Sequence, residues 1–379
     1  MSTFSRRRFL ITTAFTAAAP WIVPSSVFGQ TTPNDRVNIG VIGCGNQSQV
    51  DLPNIMKLDD TQVTAVCDVN RGSHDYRIPE HFRGREPARE EVNDFYAKKS
   101  DRADYRGCDA HVDFREVLDR DDIDAVWIVV PDHWHALMTC MAAKAGKHIY
   151  CQKPLSLTVH DAQQMVKAVR KYGVVLQTGS QYRSNPVVRH MAELVRNGRI
   201  GEVKKATAIV NSNGPGPGVD WQPMPGPDGF DYDRWLGPAP YAPYHVDRCL
   251  YRFRFILDYS GGQLTNTGHH ANDIVQWTLG KDGTSPVQYE DTGSVWPPEG
   301  SLWNTATHTD FHARYADGIE LICRTQDPGF GARFEGTEGW IEYQYNKLLC
   351  SDDKIKDSVI GPDEIRLPVS DNHYRNFVD

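Results

Sequence analysis

The stretch Val37-Asn38-Ile39-Gly40-Val41-Ile42-Gly43-Cys44-Gly45 constrains this chain most. Its largely apolar run predicts a buried strand, and the glycines at its end predict a tight turn. The first turn glycine permits the reversal, and the second lets a pyrophosphate approach the backbone at a helix start. Ser48 takes the third small position, and Pro53 falls inside the following helix, where it should kink or shorten it. Asp68 ends the next predicted strand, 25 residues after Gly43. A carboxylate there accepts hydrogen bonds from an adenosine ribose and repels a ribose phosphate, which favours NAD over NADP. The expected dinucleotide contacts are Gly43, Gly45, Asn46, Gln47 and Asp68.

From Val37 to about Ser180 strand-like runs alternate with helix-like segments, which predicts a parallel sheet with crossover helices. Strands are expected at 37–42, 62–67, 125–130, 147–151 and 174–178, with helices at 114–118, 136–145 and 160–171. Residues 71–103 are rich in charge and read as a surface excursion containing a helix. After a helix at 186–196 the character changes. Runs at 204–211, 311–315, 319–324 and 340–345 look like strands of a mostly antiparallel sheet. The expected fold is α/β: a Rossmann-type doubly wound parallel sheet over residues 30–181, then an α+β substrate and oligomerisation domain over 182–379. The crevice between them is the natural place for a substrate.

Charge is mildly acidic, with 41 Lys and Arg against 49 Asp and Glu, and no basic stripe points to a nucleic-acid partner. Of eight cysteines, Cys44, Cys67, Cys151 and Cys323 fall in the glycine turn, at strand ends or in an apolar run. Those settings suit small buried thiols, so no structural disulfide is expected.

Two further segments sit at carboxyl ends of predicted parallel strands, where open α/β sheets bind ligands. They are Pro131-Asp132-His133-Trp134-His135 and Cys151-Gln152-Lys153-Pro154. A third is Gly261-Gly262-Gln263-Leu264-Thr265-Asn266-Thr267-Gly268-His269-His270-Ala271-Asn272-Asp273, preceded by Asp233-Arg234-Trp235-Leu236-Gly237-Pro238. Together with the glycine turn, these resemble the glucose–fructose oxidoreductase/inositol dehydrogenase (Gfo/Idh/MocA) family, over nearly the whole chain from about residue 35. The resemblance implies an NAD(P)-dependent oxidoreductase acting on CH–OH groups, with Lys153 beside the nicotinamide and His270 at the family's catalytic histidine. Gln152 stands where the family has Glu, and Asn266 stands at an acidic position. Pro131, His133, Trp134, His135, Gln152 and Lys153 are the further cofactor contacts the resemblance implies.

This set suits hydride transfer from a sugar carbinol. His270 is the base near neutral pH, Lys153 stabilises the developing alkoxide, and Asn266 orients the pair. His269 and Asp273 are candidate substrate contacts. Arg183 either binds substrate hydroxyls or pairs with a surface carboxylate. The Gly/Pro-rich segment 214–229 with Trp221 is either an aromatic sugar-binding loop or a solvated one. His133, His135, Cys140, His269 and His270 lack the compact spacing of a metal site, and no metal is expected. Three functions stay open: net oxidation of a sugar, polyol or glycoside; redox-neutral glycoside cleavage or rearrangement using NAD transiently; and an inactive, cofactor-holding sugar-binding protein.

The amino terminus adds a second theme. Ser5-Arg6-Arg7-Arg8-Phe9-Leu10 precedes a short apolar run ending near Pro20, similar to a twin-arginine export signal and too short to span a membrane. Residues 1–29 are the expected signal peptide, cleaved before Gln30 at Val27-Phe28-Gly29. The resemblance implies a periplasmic or other extracytoplasmic protein, exported already folded around its cofactor. A homo-oligomer joined through the C-terminal sheet is expected, with no membrane span after signal removal.

Overall fold

The computed structural model describes residues 36–326 and 329–379, so the expected signal peptide lies outside the described residues. Val37–Ile42 forms β1, all but its first two residues buried, and runs into the glycine turn. Helix α1 follows at Ser48–Met56, then β2 at Thr61–Cys67, α2 at Arg85–Ser100 and β3 at Asp109–His111. Next come α3 at Phe114–Leu118, β4 at Ala125–Ile128, α4 at Asp132–Lys144 and β5 at His148–Cys151. Helix α5 at Val159–Tyr172 and β6 at Leu176–Thr178 complete the first sheet. Its order is β3-β2-β1-β4-β5-β6, parallel throughout, so strand order reverses beside β1. That reversal opens a crevice at the strand carboxyl ends.

Two boundaries differ from expectation for local reasons. Strand β4 ends at Ile128 and α4 starts at Asp132, because Pro131 is preset for a helix entrance and cannot donate to a ladder. Residues 133–135 therefore sit on a helical turn, not in the strand-end loop expected. Pro53 lies within α1, which runs for nine residues.

Helix α6 (Pro186–Arg196), capped by the Asn185 side chain, leads into the second layer. There β7 (Val203–Val210) is followed by α7 (Tyr232–Leu236) and α8 (Gln263–Thr278). Strands β8 (Gln288–Asp291), β9 (Asp310–Arg314), β10 (Glu320–Thr325), β11 (Gly331–Gly336), β12 (Trp340–Gln344) and β13 (Lys347–Cys350) follow. The seven strands are ordered β13-β12-β11-β7-β10-β9-β8, antiparallel except for β7 beside β10. Ala206, Leu321, Phe334 and Tyr343 on one face pack against Met191 and Leu194 of α6 and Ile274 of α8. The opposite face carries ion pairs, Lys205 to Glu335 at 2.8 Å and Arg333 to Glu342 at 3.1 Å, with Arg333 stacked 3.9 Å over Trp340.

After α9 (Asp353–Lys356) the chain crosses back to the first sheet and ends its described course in α10 (Arg375–Val378). Phe377 joins the core of Ile39, Val63 and Trp127, meeting Trp127 edge-on at 5.4 Å. His373 Nε2 lies 2.8 Å from Tyr150 Oη, and Arg375 pairs with Asp60 at 2.6 Å. All eight cysteines are unpaired. No helix among the described residues is long and apolar enough to cross a membrane.

Candidate active site

Gly43 adopts φ +96°, and a Cβ there would lie 2.2 Å from the Val129 carbonyl oxygen. Only glycine allows this turn. At Gly45 an added Cβ would come 2.7 Å from the Tyr76 ring, so that ring lies against the backbone only because the side chain is missing. Helix α1 begins with no side-chain cap on its first amides, which leaves its positive end available to an anion. Asp68 is fixed behind the turn. Its carboxylate accepts from the Cys44 amide at 2.7 Å and the Asn70 amide at 2.8 Å, while burial pushes its pKa upward. Each oxygen keeps a lone pair for a further donor.

These residues border one cavity of about 710 Å³ that reaches from the glycine turn to α8. Gly43, Gly45, Asn46, Gln47 and Asp68 are among its lining residues. Pro131, Trp134, Gln152, Lys153, Asn266 and His270 line it as well. A glycine turn on the cavity wall, uncapped helix amides and a carboxylate behind them fit a dinucleotide.

Lys153 Nζ donates to Asn266 Oδ1 at 2.9 Å and to the Asn266 carbonyl at 3.1 Å, tying the first sheet to α8. Burial pushes the lysine pKa down to about 8, helped by the Arg254 charge, while Asp132 and Asp51 oppose the shift. His270 lies edge-on to Tyr182 at 4.9 Å, and its buried Nδ1 has no hydrogen-bond partner. Burial, the Lys153 charge and the neighbouring His269 and His373 hold its pKa well below the usual histidine value. The ring is thus a neutral imidazole at physiological pH, with a nitrogen free to take a proton.

Five expected contacts lie outside the cavity lining. His133 donates from Nε2 to the Trp235 carbonyl at 3.2 Å, and His135 from Nδ1 to the Pro154 carbonyl at 2.6 Å. Burial lowers both to a pKa of about 4, so they act as neutral braces. Between them Trp134, held by its own bond to the Trp235 carbonyl at 2.8 Å, lines the cavity. Arg183 pairs with Asp273 through contacts of 2.6 to 3.1 Å and with Asp282 at 2.7 Å. Of the two readings for Arg183, the structure takes the carboxylate pair, and Asp273 is consumed by it. His269 faces Ser180 at 3.4 Å and has a pKa lowered to about 4 by burial. Trp221 lies under Arg248 at 5.1 Å and bonds the Gly300 carbonyl at 3.3 Å, away from the cavity. No cluster of three or more His, Cys, Asp or Glu among the described residues is placed to hold a metal ion.

Sequence reasoning missed two carboxylates and an arginine. Asp132 opens α4 on the cavity wall, accepts from Ser260 Oγ at 2.5 Å, and is pushed by burial up to about 6. Its position next to Pro131 was the available signal. Asp51 is fully buried under Gln152, and Arg254 lines the cavity from the turn after Tyr251. Neither stands in a recognisable motif.

Comparison with known proteins agrees with this architecture. Residues 37–180 match the family model described as oxidoreductase family, NAD-binding Rossmann fold, and residues 185–364 match that family's C-terminal alpha/beta domain. The chain is 28% identical to myo-inositol 2-dehydrogenase of Thermotoga maritima over 181 residues, 48% of this chain and 46% of that protein. It is 30% identical to an alpha-N-acetylgalactosaminidase of Shewanella oneidensis over 182 residues, 47% of this chain and 36% of the other. The matched stretch spans less than half the length of such curated relatives. In fold, the chain is similar to a levoglucosan dehydrogenase complex with NADH, with TM-score 0.57 and 20% identity, over 83% of this chain and 76% of that one. The paired domain matches, in the order of the two sheets, show that the chain belongs to the Gfo/Idh/MocA oxidoreductase family, with an NAD-binding Rossmann fold and that family's C-terminal α/β domain.

Proposed function

We propose that the protein is an NAD-dependent oxidoreductase acting on a carbinol of a sugar, polyol or glycoside. One observation carries this: Lys153 and His270 line the same cavity as the glycine turn and Asp68. A nicotinamide dinucleotide bound there supplies the two-electron acceptor for the hydride of the carbinol carbon. His270, which lines the cavity as a neutral imidazole, takes the hydroxyl proton. The Lys153 ammonium, aimed by Asn266, stabilises the oxygen as negative charge grows on it. His133 and His135 hold the backbone at Trp235 and Pro154 beside the site. Appearance of NADH when purified protein is given a panel of sugars and polyols tests the assignment; protein that binds NAD yet reduces none with any of them would refute it.

A redox-neutral reading is favoured by the relatives that are named as glycosidases. Hydride taken from a carbinol would be returned within one cycle, and glycoside would be cleaved with no net NADH. Product formed without any added acceptor distinguishes it.

We also propose export through the twin-arginine route of residues 1–29, with NAD retained outside the cytoplasm. No NAD pool would refill a weak site there, because occupancy follows the ratio of ligand to dissociation constant. Mature protein from Gln30 should keep NAD through extended dialysis. Self-association is placed on the open face of the seven-stranded sheet, and sedimentation of an Arg333→Glu variant tests it.

A further inference from the structure

Arg254 is a buried cation beside the reacting end of the cavity. Its guanidinium lies 3.9 Å over the Tyr251 ring and donates from Nη1 to the Tyr251 carbonyl. Its Nε is buried with no hydrogen-bond partner, and among the described residues no carboxylate forms an ion pair with it. Asp132 is the carboxylate whose charge it feels, but without an ion pair, and that group accepts from Ser260 at 2.5 Å. Buried charges normally sit against an opposite charge, because removal from water is otherwise uncompensated.

The location is equally specific. The Arg254 carbonyl accepts from the Gly262 amide at 2.8 Å, directly before α8, whose first turn holds Asn266 against Lys153 Nζ. Arg254 and Lys153 line the same cavity, and among charged groups Arg254 acts most strongly on Lys153. Two cations thus share a corner, each raising the cost of the other. An arginine's planar fork matches a carboxylate or phosphate two oxygens at a time, and the Tyr251 ring fixes the plane of this one.

We propose that Arg254, with Lys153, forms an anion subsite, and that the sugar oxidised here carries a carboxylate or phosphate group. This rests on the oxidoreductase reading and narrows its substrate class. The anion neutralises the two cations from the cavity that both line, and leaves a neighbouring carbinol facing Lys153 and His270.

The experiment uses the full chain loaded with NAD and matched pairs: D-glucuronate against D-glucose, D-galacturonate against D-galactose, and D-glucose 6-phosphate against D-glucose. Binding is followed by calorimetry, and NAD affinity is measured separately. At least one acidic member should bind tenfold or more tighter than its neutral partner, with the advantage shrinking as salt is raised. Arg254→Gln should bring the pair within about twofold, and Arg254→Lys should retain part of the preference. An equal response to acid and neutral members, including no response to either, overturns the proposal. So does an Arg254→Gln protein that loses NAD affinity while keeping the acid preference, because the guanidinium then serves the dinucleotide pyrophosphate. NADH formed from neutral sugars alone would keep the oxidoreductase reading and refute the subsite. Acid binding that Arg254→Gln abolishes, with no NADH from any sugar, would keep the subsite and refute the reading.

Discussion

Asp51 accepts a 2.7 Å hydrogen bond from the Gln152 side-chain amide, wholly out of contact with solvent. The same carboxylate takes donors from Trp127 at 3.1 Å, Gln47 at 3.0 Å and Tyr374 at 3.1 Å. Gln152 then uses its oxygen to receive the Lys153 amide at 3.2 Å. The acidic charge absent from position 152 is therefore one layer deeper, on α1, and an amide relays it. A carboxylate at 152 would confront Asp51 directly.

Gln152→Glu should accordingly destabilise the fold by ~2–4 kcal/mol, more at pH 8 than at pH 5, since a close carboxyl pair can share one proton only when protons are available. Asp51→Asn combined with Gln152→Glu restores a donor and an acceptor, and should recover at least ~1 kcal/mol of that loss. Denaturant melts of the four proteins give the answer; strictly additive effects would mean the two side chains do not depend on one another.

At the reacting end, Lys153→Ala and His270→Ala should each cut kcat by ~10²–10⁴-fold, with bound NAD largely retained. The Lys153 charge is lost as pH rises through about 8. The rate supported by that charge should fall above this point. Asn266→Asp sets a carboxylate beside Nζ and should move the falling limb upward by ~1 pH unit. A pH–rate profile identical in Asn266→Asp would show that this limb does not belong to Lys153.

For cofactor choice, Asp68→Ala should weaken NAD about tenfold to a hundredfold. NADP should lose less, because the carboxylate that repels its ribose phosphate is also removed. Titration of both dinucleotides against parent and variant decides this, and equal losses would reject the assignment.

Stability should fall on acidification below neutrality. His133, His135, His269 and His373 have native pKa values lowered to about 4, and His270 is also lowered. Between about pH 4 and the ordinary histidine value of ~6.5, the unfolded chain binds more protons than the native one, so lowering pH favours unfolding. Asp132, raised to about 6, has the opposite sign in the lower part of that window, as do the raised Asp51 and Asp68. Five imidazoles should outweigh three carboxyls. Melting temperature should therefore drop between pH 7 and pH 5; a rise would show that the carboxyls dominate.

What could be read from the sequence follows from how local each signal is. Strand β1 and its glycine turn were legible residue by residue, because an apolar run and a required positive φ act within nine residues. Strand β3 was not, since Asp109-Ala110-His111 at a sheet edge has no apolar run to mark it. His133 and His135 were identified but given the wrong surroundings, because Pro131 starts the helix earlier and turns both rings toward backbone carbonyls. Arg183 and Asp273 meet across 90 residues, and Asp51 meets Gln152 across 101. No spacing rule reaches that far, and a lone Asp in a helix ordinarily faces water.

The closing of the first sheet by Phe377 has a consequence for biosynthesis. Ribosomes deliver the amino-terminal half first, yet the apolar bay beside Trp127 is filled by a residue made 250 positions later. At roughly 5–20 residues per second, nascent chains wait from about ten seconds to a minute with that bay uncovered. Tyr374 and His373, which satisfy Asp51 and Tyr150, arrive equally late. The dinucleotide-binding half is thus denied its native packing during translation, and a ribosome that stalls before position 373 releases a chain whose exposed Trp127 and Tyr150 mark it for chaperones and proteases.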